Sequence, residues 1–167
     1  MAFIIFIGFI ILLRIGELIL SRRNEKWLLQ NGAVEYGQKH YPFIVALHVL
    51  FLISLIVEYA ISRPVSYSLY FLVYYFLLLL FKIWVISSLG KFWNTKIYRI
   101  SSFPLVKKGA YKYFKHPNYL IVIGEIAVIP LVFHLYYTAA IFTFLNAIML
   151  WVRIREENKA LQIGAGK

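Results

Sequence analysis

The chain has 167 residues, of which 62% are hydrophobic, 15% are charged and none is cysteine. The lack of cysteine excludes a disulfide scaffold, a thiolate metal site and a cysteine nucleophile, while the apolar content excludes a disordered tail and argues against a water-soluble globule. The 18 basic residues outnumber seven carboxylates, giving +11, and their clustering between apolar segments indicates the cytoplasmic face of a membrane protein rather than a nucleic-acid interface.

Five apolar segments approach the roughly 20 helical residues that a bilayer core of about 30 Å requires. The first runs from Ala2 to Leu20 and contains Arg14 and Glu17, whose spacing of three predicts that they neutralise one another. No basic segment precedes it and no small-residue cleavage site follows it, so we interpret it as a span rather than a signal peptide. The other four spans are predicted at about residues 42–61, 66–87, 117–132 and 136–152.

The last two spans are short and closely spaced, which predicts a tight helical hairpin in which Pro130 kinks or ends the fourth span. Basic residues concentrate in the first loop, the third loop and the tail, whereas the opposite side carries only Arg63. The positive-inside rule therefore predicts five crossings, with the N-terminus outside and the C-terminus in the cytoplasm. We expect one all-α membrane domain over 1–167, with a three-helix part over 1–88 and a loop, hairpin and tail over 89–167.

The longest non-apolar stretch, residues 89–119, interleaves basic and aromatic side chains. Such a pattern can bind nucleic acid by stacking. Anchoring at the lipid headgroups explains it better because the stretch adjoins two spans, so we expect no nucleic-acid partner. At its end, His116 and Pro117 begin the fourth span, where free backbone N–H groups could hold a carboxylate.

A second polar group leaves the fifth span. Arg153 and Glu157 are four residues apart and share a helix face, which by itself is typical of a solvated ion pair at a helix end. Because this pair and His116 both lie at the cytoplasmic end of the predicted hairpin, we expect them to be neighbours in space.

Ionisable groups inside the membrane are costly and usually pair or serve a function. We interpret His48 and Glu58, which have no partner nearby in the sequence, as packing residues. Glu125 lies nine residues after His116, about 13 Å deeper along a helix. It is the candidate general base for an acceptor that must lose a proton.

Four motifs follow one another between residues 89 and 161: Gly90-x-x-Trp93, Leu105-Val106-x-x-Gly109-x-Tyr111, Lys115-His116-Pro117-Asn118-Tyr119 and Arg153-x-x-Glu156-Glu157-x-x-x-Leu161. This ordered combination resembles the isoprenylcysteine carboxyl methyltransferase family, integral membrane enzymes that use S-adenosylmethionine. The N-terminal half is similar to the small bacterial branch of that family through Glu17, Ser21-Arg-Arg-Asn24 and Gly32-Ala-Val-Glu35-Tyr-Gly37. Some members of that branch methylate hydroxyl groups on long-chain alkylpyrones.

The resemblance implies roles for individual residues. Arg153 would position the polar head of a hydrophobic substrate, and Glu157 would close the cofactor site. The residues implied to border or wrap the cofactor are Lys96, Phe103, Pro104, Leu105, Val106, Tyr111, His116, Pro117, Asn118 and Tyr119. Two departures concern Lys115, where the family commonly has arginine with its bidentate fork, and Leu120 with Ile121, where a small residue is common.

The resemblance therefore implies a bacterial cell-membrane enzyme that transfers a methyl group from S-adenosylmethionine to a lipophilic acceptor, with no metal. An alkylpyrone hydroxyl is the preferred acceptor, followed by an isoprenylcysteine carboxylate and then a phospholipid amine. An acidic enol or a carboxylate is already ionised near neutral pH and needs little help from a base, unlike an alcohol or an amine. A non-catalytic transporter or haem protein is the alternative from another class. Haem would require two histidines at matching depth, and a transporter is expected to show internal symmetry.

Overall fold

The computed structural model describes residues 1–100, 103–104 and 106–165. Its five helices are α1 (Ala2–Gln30), α2 (Tyr41–Ser62), α3 (Leu69–Leu89), α4 (Pro117–Leu131) and α5 (Tyr136–Ala165). The predicted all-α membrane fold is confirmed, because α1, α2, α3 and α5 are long and apolar enough to cross a bilayer. With 15 residues, α4 is shorter than the roughly 20 that a complete crossing requires.

The predicted hairpin is formed by α4 and α5, which are joined by residues 132–135 and pack against one another. α4 ends one residue after Pro130, as expected of a residue that cannot donate to the preceding turn. The prediction that both helices are short was wrong for α5, which has 30 residues and continues well beyond the predicted end at Val152. The Glu58 carboxylate accepts hydrogen bonds from the backbone amides of Tyr137 and Thr138, so it caps the start of α5 rather than serving only as a packing residue.

The structure also contains a small sheet that the sequence did not predict. Strand β1 (Val34–Tyr36) pairs antiparallel with β2 (Ile97–Arg99), and Glu35 lies opposite Tyr98. Helix α1 continues ten residues beyond its predicted end at Leu20, and this polar extension leads into β1. We call the end of the bundle that carries the sheet and residues 106–116 the basic end. Its orientation toward the cytoplasm stays a prediction.

The apolar core lies toward the N-terminal end of α1. Phe3 stacks on Tyr59 with ring centroids 3.6 Å apart and meets Phe133 edge-on at 5.2 Å, geometries that aromatic pairs favour. Buried side chains from all five helices pack around them. Many large apolar side chains on the outside of the bundle are exposed, among them Ile4 and Leu12, and a bilayer would cover this surface.

A network of four charged side chains joins three helices. Arg14 on α1 donates to Glu17 at 2.8 Å and to Glu125 on α4 at 2.7 Å. Lys82 on α3 lies 2.6 Å from the Glu17 carboxylate and 2.5 Å from that of Glu125. The sequence had suggested only the pair of Arg14 and Glu17. Each of the four charges instead has two partners of opposite sign, which offsets the cost of burying them.

We expect Lys82→Met to lower the free energy of unfolding by about 3–5 kcal/mol, because Glu17 and Glu125 would then share a single cation in a buried site. Adding Glu17→Gln makes the network electrically neutral again and should recover part of the lost free energy of unfolding. Denaturant unfolding in detergent measures both variants, with Lys26→Met on the exposed face of α1 as the matched control. If Lys82→Met is as stable as the control, the network does not hold the helices together.

Candidate active site

The wall of the candidate site is the segment that follows α3, held in place by the polar extension of α1. Asn24 is 5% exposed and donates to the backbone carbonyls of Trp93 at 2.7 Å and Gly90 at 3.2 Å. Ser21, one turn earlier on α1, accepts from the amide of Thr95 at 3.1 Å. These bonds satisfy the Trp93 carbonyl and the Thr95 amide, which lie outside the helices and the sheet, and they fix the segment against α1.

The small sheet is tied to the same helix through charges. Lys96 lies 2.8 Å from Glu25, and Tyr98 donates to both Glu25 and Glu35. The hydrogen bond with Glu25 raises the pKa of Lys96 above its ordinary value, so the ammonium group stays charged. Burial, followed by the hydrogen bonds to Glu25 and Glu35, raises the pKa of Tyr98, so its hydroxyl remains a donor.

The two polar groups of the hairpin meet at the basic end. The Tyr119 hydroxyl on α4 donates to the Glu157 carboxylate on α5, and Arg153 donates from Nε to the same hydroxyl at 3.1 Å. His116 Nδ1 lies 3.4 Å from the Glu157 carboxylate, and the His116 ring stacks on that of Tyr119 with centroids 5.2 Å apart. The structure therefore places the start of α4 and the end of the α5 span against one another, as the sequence predicted.

These elements enclose a cavity of about 330 Å³, which we call the active-site cavity and which falls within the size range of small-molecule sites. Ten of the predicted site residues line it: Lys96, Phe103, Pro104, Val106, Tyr111, His116, Asn118, Tyr119, Arg153 and Glu157. Pro117 is buried at the start of α4 and does not line the cavity. The prediction for Leu105 lies outside the described residues.

Glu125 lies apart from this cavity. It is 1% exposed and both of its carboxylate oxygens are held by Arg14 and Lys82. A general base must reach the proton that it removes, and a carboxylate whose two oxygens are both paired and which does not line the cavity has no such contact. The geometry therefore favours a structural role for Glu125 over the general-base role that its depth suggested.

Two cavity residues with buried polar atoms that have no partner in the described part of the chain, Trp93 and Arg99, were not among the site residues predicted from the sequence. Trp93 Nε1 and Arg99 Nε are buried without a hydrogen-bond partner among the described residues, as is His116 Nε2, and all three residues line the cavity. Buried polar atoms without partners are rare in proteins and indicate groups that pair with a ligand or with water. Trp93 belongs to the Gly90-x-x-Trp93 motif, so its signal was present, whereas nothing distinguished Arg99 from other basic residues of its loop.

The cavity also contains a neutral phenol close to these charged groups. Burial raises the pKa of Tyr111, so its hydroxyl stays protonated and its ring offers a flat apolar surface. Together the walls present hydrogen-bond donors, one carboxylate and aromatic faces. Such a mixed lining suits a ligand that carries both charges and a flat apolar part.

Comparisons with known proteins agree with this geometry. Residues 70–163 match the model of the isoprenylcysteine carboxyl methyltransferase family, and Leu28 is the single cavity-lining residue of the described chain that falls outside that range. An uncharacterized protein of Bacillus subtilis (strain 168), YpbQ, is 43% identical over 96% of each chain. An uncharacterized protein of Haemophilus influenzae is 30% identical, covering 91% of this chain and 90% of the relative. No solved structure matches the chain.

Replacing Asn24 tests how the cavity wall is held. In Asn24→Leu the Trp93 carbonyl loses its donor and the Gly90 carbonyl keeps only the Trp93 amide. A lost hydrogen bond of about 1–2 kcal/mol raises the population of a locally open segment by about 5–30-fold. Trypsin should then cleave after Lys91 and Lys96 faster by the same factor in detergent. The control is Asn31→Ala, which removes an exposed bond to the Trp27 carbonyl. Equal cleavage rates in the two variants would contradict this anchoring role.

Proposed function

This chain belongs to the isoprenylcysteine carboxyl methyltransferase family, and we propose that it uses S-adenosylmethionine to methylate a hydroxyl group on a lipophilic acceptor of the alkylpyrone type. The family makes the chain a membrane methyltransferase. The observation that carries the finer proposal is the meeting of His116, Arg153 and Glu157 at one cavity of the helix bundle. This cavity lies where a water-soluble cofactor and a membrane-borne acceptor could both arrive.

The lining of the active-site cavity fits S-adenosylmethionine, which carries a carboxylate, an ammonium group, a ribose, an adenine and a sulfonium. The Arg99 Nε–H, which has no partner among the described residues, suits the carboxylate, as does the N-terminal, positive end of α4, which begins beside His116. The Glu157 carboxylate suits the ammonium group or the ribose hydroxyls. The rings of Tyr111 and Trp93 suit the adenine.

When bound, S-adenosylmethionine supplies a methyl group activated by the positive charge on sulfur. The residues of this chain contribute alignment and charge placement, which are the main sources of rate in a direct displacement. Tyr119 connects the two sides of the cavity, because its hydroxyl bonds to Glu157 and to Arg153. This bridge would hold the cofactor-facing carboxylate and the acceptor-facing guanidinium in a fixed relation.

The lipophilic acceptor would enter from the bilayer between helices, since a long apolar chain is stable there and not in water. Arg153 lies at the inner side of the cavity and would bind the polar head of the acceptor. A hydroxyl on an acidic ring suits this arrangement, because Glu125 is already held by two cations and such a hydroxyl needs little help from a base. An isoprenylcysteine carboxylate would also bind Arg153 and is the alternative acceptor.

Binding of S-adenosylhomocysteine to the detergent-purified protein should be saturable by isothermal titration calorimetry. Glu157→Gln should weaken it about 10–100-fold, because hydrogen bonds to charged groups contribute about 1.5–3 kcal/mol. The neighbouring Glu156→Gln is the matched control, since Glu156 pairs with Lys159 and does not line the cavity. Absence of binding to the unaltered protein would refute the cofactor proposal.

The acceptor is tested with isotopically labelled S-adenosylmethionine and two candidates, a long-chain 4-hydroxy-2-pyrone and an N-acetyl farnesylcysteine. We expect label in the pyrone methyl ether. Arg153→Gln should raise KM for the pyrone at least about tenfold while S-adenosylhomocysteine affinity changes little, because Arg153 faces the acceptor. Arg155→Gln is the control, as Arg155 stacks on Trp151 outside the cavity. If only the farnesylcysteine becomes labelled, the acceptor is a carboxylate and the hydroxyl acceptor is refuted.

A further inference from the structure

A second, smaller cavity adjoins the active-site cavity deeper in the bundle. It has a volume of about 40 Å³ and lies between α2, α4 and α5. Asn118, Tyr119 and Arg153 line both cavities, so the two meet at these side chains. The other residues around the smaller cavity are Ile44, Leu47, His48, Val122, Asn146, Met149 and Leu150.

The lining of this cavity is mostly apolar, and its polar side chains come from α2, α4 and α5. On α5, Asn146 lies seven residues before Arg153, which is two helical turns, so both side chains share one helix face. Asn146 is 3% exposed, and its Nδ2 has no hydrogen-bond partner among the described residues. A buried amide donor at this depth is costly when unpaired, so it indicates a partner that enters the cavity.

His48 on α2 supplies the complementary group. Its Nδ1 lies 2.8 Å from the Ile44 carbonyl oxygen, and a carbonyl can only accept, so Nδ1 carries the proton. In the neutral ring Nε2 is then left as a hydrogen-bond acceptor. Apart from the residues shared with the active-site cavity, the small cavity thus offers Asn146 Nδ2 as a donor and His48 Nε2 as an acceptor.

A third cavity, of about 600 Å³, lies between α1 and α3 and is lined almost entirely by apolar side chains. It shares none of its lining residues with the active-site cavity. A lipid chain there would be separated from the site of transfer, whereas a group in the small cavity is adjacent to Tyr119 and Arg153. The small cavity is therefore the better place for the reacting end of an acceptor.

We propose that Asn146 and His48 form the subsite that recognises the polar head of the acceptor, an inference that rests on the methyltransferase function proposed above. The small cavity admits the polar edge of the head, whose hydroxyl donates to His48 Nε2 and whose carbonyl oxygen accepts from Asn146 Nδ2. The rest of the head stays at the mouth of the active-site cavity, where Arg153 contacts it. A carboxylate has only acceptors and would leave His48 without a donor. A charged head is also costly to bury at this depth, so the hydroxyl enters in its neutral form, and its proton passes to His48 Nε2 when the oxygen is methylated.

The test measures binding of two probes in the absence of cofactor, a long-chain 4-hydroxy-2-pyrone and its 4-methoxy ether, which lacks the hydroxyl hydrogen. Asn146→Leu keeps the side-chain volume and removes the donor, so it should weaken the binding of both probes about tenfold or more. His48→Phe removes the acceptor, so the affinity for the hydroxypyrone should fall by a similar factor. The affinity for the ether should stay within about twofold of that of the unaltered protein. Thr138→Val on α5 is the matched control, because Thr138 is buried and pairs with Ser54 away from the cavity.

Binding of S-adenosylhomocysteine is measured in parallel and separates this inference from the proposed function. If the unaltered protein does not bind it, the proposed function fails. If it binds and both variants keep unaltered affinity for the hydroxypyrone, the subsite alone is overturned. Loss of S-adenosylhomocysteine binding in Asn146→Leu and also in Asn146→Ala would identify a residue that only stabilises the fold, and would likewise overturn the subsite.

Discussion

The network of Arg14, Glu17, Lys82 and Glu125 is the constraint on which the placement of the site depends. Charges inside a bilayer are tolerated when each is close to an opposite charge, and a shift of one helix by a single turn, about 5.4 Å, would separate these partners. The network therefore fixes α1, α3 and α4 in one axial register. Because α1 holds the wall of the active-site cavity and α4 carries His116 and Tyr119, this register also sets the width of the cavity.

Much of the fold could be predicted because membrane spans are local signals. Uniform hydropathy identified the helices, and the basic residues identified one end of the bundle. The same reasoning predicted that His116 lies near Glu157, since two helices joined by a connection as short as residues 132–135 must be antiparallel. The long extension of α1 was missed because residues 21–30 are polar and no apolar run marks them. They are helical because Asn24 and Leu28 bury themselves against the segment after α3.

Contacts between distant parts of the chain could not be predicted from one sequence. Glu125 pairs with Arg14, which is 111 residues away, and Glu35 of β1 lies 63 residues before its partner in β2. A single carboxylate in a span could be a base or a structural anion, and the presence of two nearby cations decides between these roles. Asn146 shows the converse case, because what distinguishes it is that its Nδ2 has no hydrogen-bond partner in the described part of the chain, where α2, α4 and α5 meet.

The two cavities differ in polarity, and this difference would direct the cofactor to one and the acceptor to the other. Charged groups such as Glu157 and Arg99 line the larger cavity, which is nearer the basic end. The smaller one is mostly apolar, and the polar groups that it does not share with the larger one are the Asn146 amide and the His48 imidazole. A cofactor with several charges is stabilised in the first and excluded from the second by the cost of desolvation. An acceptor with a neutral head and a long apolar tail has the opposite preference. Tyr119 and Arg153 border both cavities, so the reacting groups would meet beside these two side chains without either ligand having to enter the environment of the other.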